Sequence, residues 1–165
     1  MIAERVLHPC SKLATVHDWH TTSLAQKVSV GDVDEEELDQ AVDWLLERKP
    51  RIEKKLAARH LSDSSLVAYY ASSSYYKGHS CLLDPLGYDR DGKKGLPIMV
   101  YGVLTDSEGR PPADEVYPGN TGDPITVVDQ VEKLRVQFQS SQVVLVGDPG
   151  MQTQPQIDTL RSRLG

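Results

Sequence analysis

The stretch VVLVGDPGM, Val143 to Met151, sets an uncharged apolar run directly against one carboxylate, Asp148. A short run of Val and Leu bounded by Gly, Asp and Pro reads as a brief strand that stops at a turn. Taken by residue chemistry alone, Asp148 starts that turn, since Asp, Pro and Gly are all turn formers. At the carboxyl end of a parallel strand, however, an aspartate also stands where side chains and backbone groups converge on ligands in α/β sheets. What flanks the stretch decides between the two.

Upstream, GDPITVVDQVEKLRVQF places Val127, Val131, Leu134 and Phe138 at helical spacing, with Pro124 tolerated in the first turn, so a crossover helix is expected. Downstream, QTQPQIDTLRSRLG closes the chain as another helix. Further back, SLVAYYASSSYY is rich in Val, Tyr and Ser and predicts a strand running into a polar turn. LPIMVYGVLTDSEGRPPADEVYPGN predicts a hairpin, with Asp106 and Gly109 as the first and last residues of a type I turn. Ile98 to Leu104 is apolar on both faces, which points to a central strand, and Pro111 and Pro112 weaken the start of its partner.

Residues 1 to 65 read as helical. Leu38, Val42, Leu45, Ile52 and Leu56 fall at spacings that make one buried stripe. Asp34 caps the start, Glu35, Glu36 and Glu37 occupy the first turn, and Pro50 is expected to divide the pattern into two helices. SKLATVHDWHTTSLAQKV is a weaker helical segment, SVGDVD a linker, and Trp19 and Trp44 are expected at helix interfaces. The order predicts an α/β fold, with a helical leader over 1–65 and a mixed sheet with covering helices over 66–165.

The net charge of −6 excludes a protein that grips nucleic acid over its whole surface, so any contact with DNA must be local. No apolar run approaches the roughly 20 residues of a membrane span, and the amino terminus lacks the pattern of a secretory signal. A cytoplasmic protein is expected, and Cys10 and Cys81 are too few to define the fold.

SSSYYKG, GYDRDGKKGLPIMVYGVLTD, EVYPGNTGDP and VVLVGDPGM, in that order, resemble the core of bacterial insertion-sequence transposases of the DDE type. The helical leader, from RVLHPCSKLAT through WLLERKPRIEKKLAARHL, is similar to the segment preceding that core. The resemblance implies a partial ribonuclease H-like fold and DNA transposition by metal-dependent phosphoryl transfer. It also implies three carboxylates holding two Mg²⁺ ions about 3.5 to 4 Å apart, which activate the attacking oxygen and stabilise the leaving one. Asp148 takes the place of the second carboxylate, a catalytic metal ligand, and Pro149 follows where the family has a basic residue.

Tyr70 occupies the first carboxylate's place. A phenol with a pKa near about 10 is neutral at pH 7 and cannot supply that charge. Asp63 lies roughly 20 Å back along the strand at about 3.3 Å per residue, whereas Asp84, Asp89 and Asp91 are not placed by the pattern. The third carboxylate belongs to a helix beyond Gly165, so the resemblance implies a truncated, catalytically impaired copy. The partners it implies are DNA at transposon ends, and a full-length transposase or a second copy of the chain. Arg90, Lys93 and Lys94 form the most basic local cluster, a candidate for phosphate contact. The alternative function is a non-catalytic regulator that binds DNA or transposase.

Other motifs give way to simpler readings. Ser72 to Ser74 have no His and acid at a spacing that suggests a hydrolase. DRDGKKG begins like a calcium loop, but Lys93 and Val100 stand where oxygen ligands are required. His8, Cys10, His17 and His20 match no standard zinc spacing.

Overall fold

Alternation along the second strand organises the sheet. In a computed structural model, which describes residues 2–62, 65–75, 97–140, 142–151 and 153–164, every second residue of Ile98–Thr105 is buried and the intervening ones are half-buried. This strand, β2, lies between β1 (Ser65–Tyr75) and β3 (Ala113–Pro118), antiparallel to both. β4 (Val143–Val146) runs parallel to the far side of β1, giving the order β3-β2-β1-β4. The β3-to-β4 connection carries α5 (Asp123–Val136), the expected crossover helix, with Pro124 in its first turn.

α5 supplies Val127 and Leu134 to a core that also holds Val67 and Tyr69 of β1, Leu104 of β2, Ala113 of β3 and Met151. The opposite sheet face is open, with Leu66, Tyr70, Val144 and Val146 exposed. The helical amino-terminal part and four-stranded mixed sheet form the expected α/β architecture. The β2–β3 turn is also as expected: Gly109 N donates to the Asp106 carbonyl at 3.0 Å, and Gly109 takes the positive φ of 78° that a glycine adopts without strain. Asp106 Oδ1 accepts from the backbone of Glu108 and Arg110, and Oδ2 accepts from the Arg110 guanidinium. Burial pushes this carboxyl up, but those bonds outweigh it and hold the pKa below the usual value.

The chain forms two compact units, Met1–Arg51 and Ile52–Gly165. In the first, α1 (Ile2–Leu7), α2 (Lys12–Asp18), a 3-10 turn (Trp19–Thr21) and α3 (Leu24–Lys27) precede α4 (Glu35–His60), which runs on into the second. Asp34 and Glu37 form a reciprocal capping box: Glu37 N donates to Asp34 Oδ1 at 2.8 Å and Asp34 N to Glu37 Oε2 at 3.1 Å. Trp19 is buried and donates its indole N–H to the Gly31 carbonyl at 2.8 Å.

Two helical expectations are corrected. Pro50 does not divide the pattern, because α4 continues through it as one helix of 26 residues. Proline removes one intrahelical hydrogen bond, to the carbonyl four residues back. That carbonyl belongs to Leu46, which with Pro50 is exposed. The apolar stripe is also incomplete: Leu38 is buried, whereas Val42 is exposed. Trp44 is exposed as well, its ring covered by the Arg48 guanidinium at 4.1 Å rather than by a helix.

In the second unit, a buried ion cluster ties α4, β3 and α5 together. Lys133 Nζ lies 2.9 Å from both Glu53 Oε2 and Glu115 Oε2, and donates to the Asp114 carbonyl at 3.2 Å. Glu53 Oε1 in turn accepts the Asp114 amide at 3.2 Å. Burial lowers the lysine pKa, but the two glutamates raise it by more. Lys133→Met, which strands buried Glu53, should therefore cost about 3 to 5 kcal/mol in urea unfolding. Since the folded-state pKa is raised, the cluster's contribution should persist in full below the ordinary lysine value of 10.5 and fall away as pH climbs through the raised one.

Gly102 is required for a different reason, since a Cβ there would overlap the Tyr69 hydroxyl and approach the ring at 2.8 Å. Gly102→Ala should lower stability by about 1 to 3 kcal/mol in the same assay, as overpacked cores do.

Candidate functional site

The parity of β1 decides what reaches the site. Val67 and Tyr69 point into the core, so Ala68 and Tyr70 point to the other face, where Tyr70 is 64% exposed. Ala68 pairs with Val146 in the parallel ladder, so Tyr70, two residues on, comes level with Asp148 just past the end of β4. Adjacent strands lie about 4.8 Å apart. The two residues that the sequence pairs as first and second carboxylate positions thus share one cleft of about 430 Å³. Ala68, Tyr69, Ala71, Val146, Gly147 and Met151 also line it.

Asp148 does start a turn. Its Oδ1 accepts the Gly150 amide at 2.8 Å and its carbonyl accepts that of Met151 at 2.9 Å, opening the 3-10 turn Pro149–Met151. Met151 is buried in the core, so this turn anchors the end of β4. Oδ2 has no protein hydrogen bond among the described residues, which leaves half of an exposed carboxylate facing solvent.

A third polar group lines the cleft that sequence reasoning missed: Asp123, half-buried, the first residue of α5. Its only signal was GNTGDP, which reads equally as an acid in the first turn of a helix. Burial raises the Tyr69 phenol, the hydroxyls of Thr126 and Tyr117 oppose this, and the field of Asp123 raises it further. Tyr117 donates to Asp129 Oδ2 and accepts from Gln130 Nε2, both at 2.6 Å. Burial and the Asp129 carboxylate push its phenol far up, so it remains a neutral donor that fixes α5 against β3.

The donor set does not fit the two-ion centre that the resemblance implies. The cleft is lined by two carboxylates and two tyrosines, and among the described residues no three His, Cys, Asp or Glu side chains are grouped to hold a metal. That also leaves His8, Cys10, His17 and His20 without a zinc-like cluster. Asp63, Asp84, Asp89, Asp91, Cys81, Arg90, Lys93 and Lys94 lie outside the described residues.

No protein-family model matches this chain, and no curated protein does. Among solved structures, the Mos1 transposase paired-end complex with left transposon end is similar over 92% of this chain and 55% of that one, at 14% identity and a TM-score of 0.38. The chain spans about half the length of that protein. A likeness this faint carries no weight for fold or function, which stand on the geometry itself.

Turn and chemistry at Asp148 are separable. Asp148→Asn keeps an oxygen for the Gly150 amide and should unfold within about 0.5 kcal/mol of wild type, whereas Asp148→Ala removes the cap and should cost about 0.5 to 2 kcal/mol.

Proposed function

We propose that this chain is a transposase-derived, DNA-binding protein of the DDE type whose phosphoryl-transfer centre is disabled. The observation that carries the reading is Tyr70, an exposed tyrosine in place of a carboxylate, lining a single cleft with Asp148. The ordered motifs around that cleft support the ancestry, and so does the parallel pairing of Ala68 with Val146, each two residues short of the position in question. Carboxylates suit Mg²⁺ because it is a hard ion that demands oxygen ligands, and a bound pair of such ions would supply charge stabilisation for displacement at phosphorus. With one charge missing at position 70, the cleft has no means of holding that pair, and cleavage or joining by this chain alone is not expected.

A second reading, an interaction with an intact transposase or another copy, is favoured by the open apolar sheet face at Leu66, Val144 and Val146. Both readings place the chain in the cytoplasm; among the described residues no helix is long and apolar enough to cross a membrane.

Calorimetry with Mn²⁺ tests the disabled centre. Wild type should bind weakly, Tyr70→Asp should tighten binding at least about tenfold, as an added ligand charge at a hard-ion site does, and Asp148→Asn in that background should cancel the gain. A supercoiled plasmid nicked by wild type in Mg²⁺ or Mn²⁺, with Asp148→Asn inactive, would show an intact enzyme and overturn the reading.

A further inference from the structure

α4 is divided by charge. Glu35, Glu36, Glu37, Asp39, Asp43 and Glu47 fill its first half with no basic residue among them, and Arg48, Lys49, Arg51, Lys54, Lys55 and Arg59 follow. The helix macrodipole accounts for acids in the first turn and for Arg59 in the last, but its effect fades within a turn and does not reach Lys54 and Lys55. Those two lysines and Arg59 are exposed; Lys55 and Arg59, four apart, share one helix face, and Lys54 stands beside them about 100° round the helix axis. None of the three makes an ion pair or hydrogen bond with another residue among those described. The acid in this half of the helix, Glu53, is buried and held by Lys133. An unpaired basic face in a chain of net charge −6 is a local exception to the background.

We propose that Lys54, Lys55 and Arg59 form a surface that holds the phosphate backbone of duplex DNA; this rests on the reading of the chain as a DNA-binding protein. The residues span about 6 to 7.5 Å along the helix at about 1.5 Å per residue. Lysine and arginine on a rigid helix set position and register on a duplex without reading its sequence. A lipid surface fits less well, because a membrane-bound helix needs an apolar face beside its basic one. Here the residues behind the stripe, Glu53 and Ala57, are buried in the protein.

Fluorescence anisotropy with a labelled random-sequence duplex, titrated across about 50 to 200 mM salt, tests this. Wild type should bind with a steep salt dependence. The triple variant Lys54→Gln, Lys55→Gln, Arg59→Gln should bind at least about tenfold more weakly, with a log–log salt slope shallower by about two to three. A control triple, Lys12→Gln, Lys27→Gln, Arg161→Gln, changes net charge equally and should stay within about twofold of wild type. Since all these side chains are exposed, thermal unfolding should confirm that both variants fold. Equal binding by wild type and the first triple, or equal loss in both triples, overturns this surface while leaving the DNA-binding reading intact. If wild type binds no duplex at any salt, or binds phosphatidylserine vesicles instead, that reading fails and the surface fails with it.

Discussion

The pleat of β1 is the constraint on which the site depends. Because successive side chains alternate, burying Val67 and Tyr69 under α5 obliges Ala68 and Tyr70 to face the other way. A slip of one residue would send the Tyr70 side chain into the core and Tyr69 out to the cleft. Register is held on both sides of the strand, by the antiparallel ladder to β2 and the parallel ladder to β4. Gly102 locks it from a third direction, because only a residue without a Cβ leaves room for the Tyr69 ring over β2.

What stands in the cleft is a matter of charge rather than of shape. Backbone geometry delivers position 70 to position 148 as a strand-end site requires, and the cleft is roomy. The turn at Asp148 uses one carboxylate oxygen and leaves the other turned outward. Tyr70 lines the same cleft but brings a phenol where a carboxylate would bring two oxygens. Asp123 adds a second carboxylate to the cleft from a different element.

Charge organises the helical part in the same local way. The chain as a whole is acidic, yet α4 carries its acids and bases in separate halves, and the basic half is buried on the side that Glu53 and Ala57 face. Lys133 satisfies Glu53, so Lys54, Lys55 and Arg59 have no free acid in their own half of the helix to fold back upon. Net charge alone therefore understates what such a surface can attract.

The sequence by itself determined the elements and their order. Periodicity in GDPITVVDQVEKLRVQF, the turn at Asp106 to Gly109 and the cap at Asp34 are local chemistry, and each appears where its residues require. It also set Asp148 just past the end of a short strand, since turn formers mark such ends, whereas β1 runs on five residues beyond Tyr70. It misjudged Pro50, because α4 carries the one lost hydrogen bond within an otherwise continuous helix of 26 residues. It missed Asp123, because an acid in a helix's first turn looks the same whether or not a cleft lies beside it. Which strands pair, which residues share a cleft, and which bases are left without partners are long-range facts, set by how the elements pack rather than by any window of the chain.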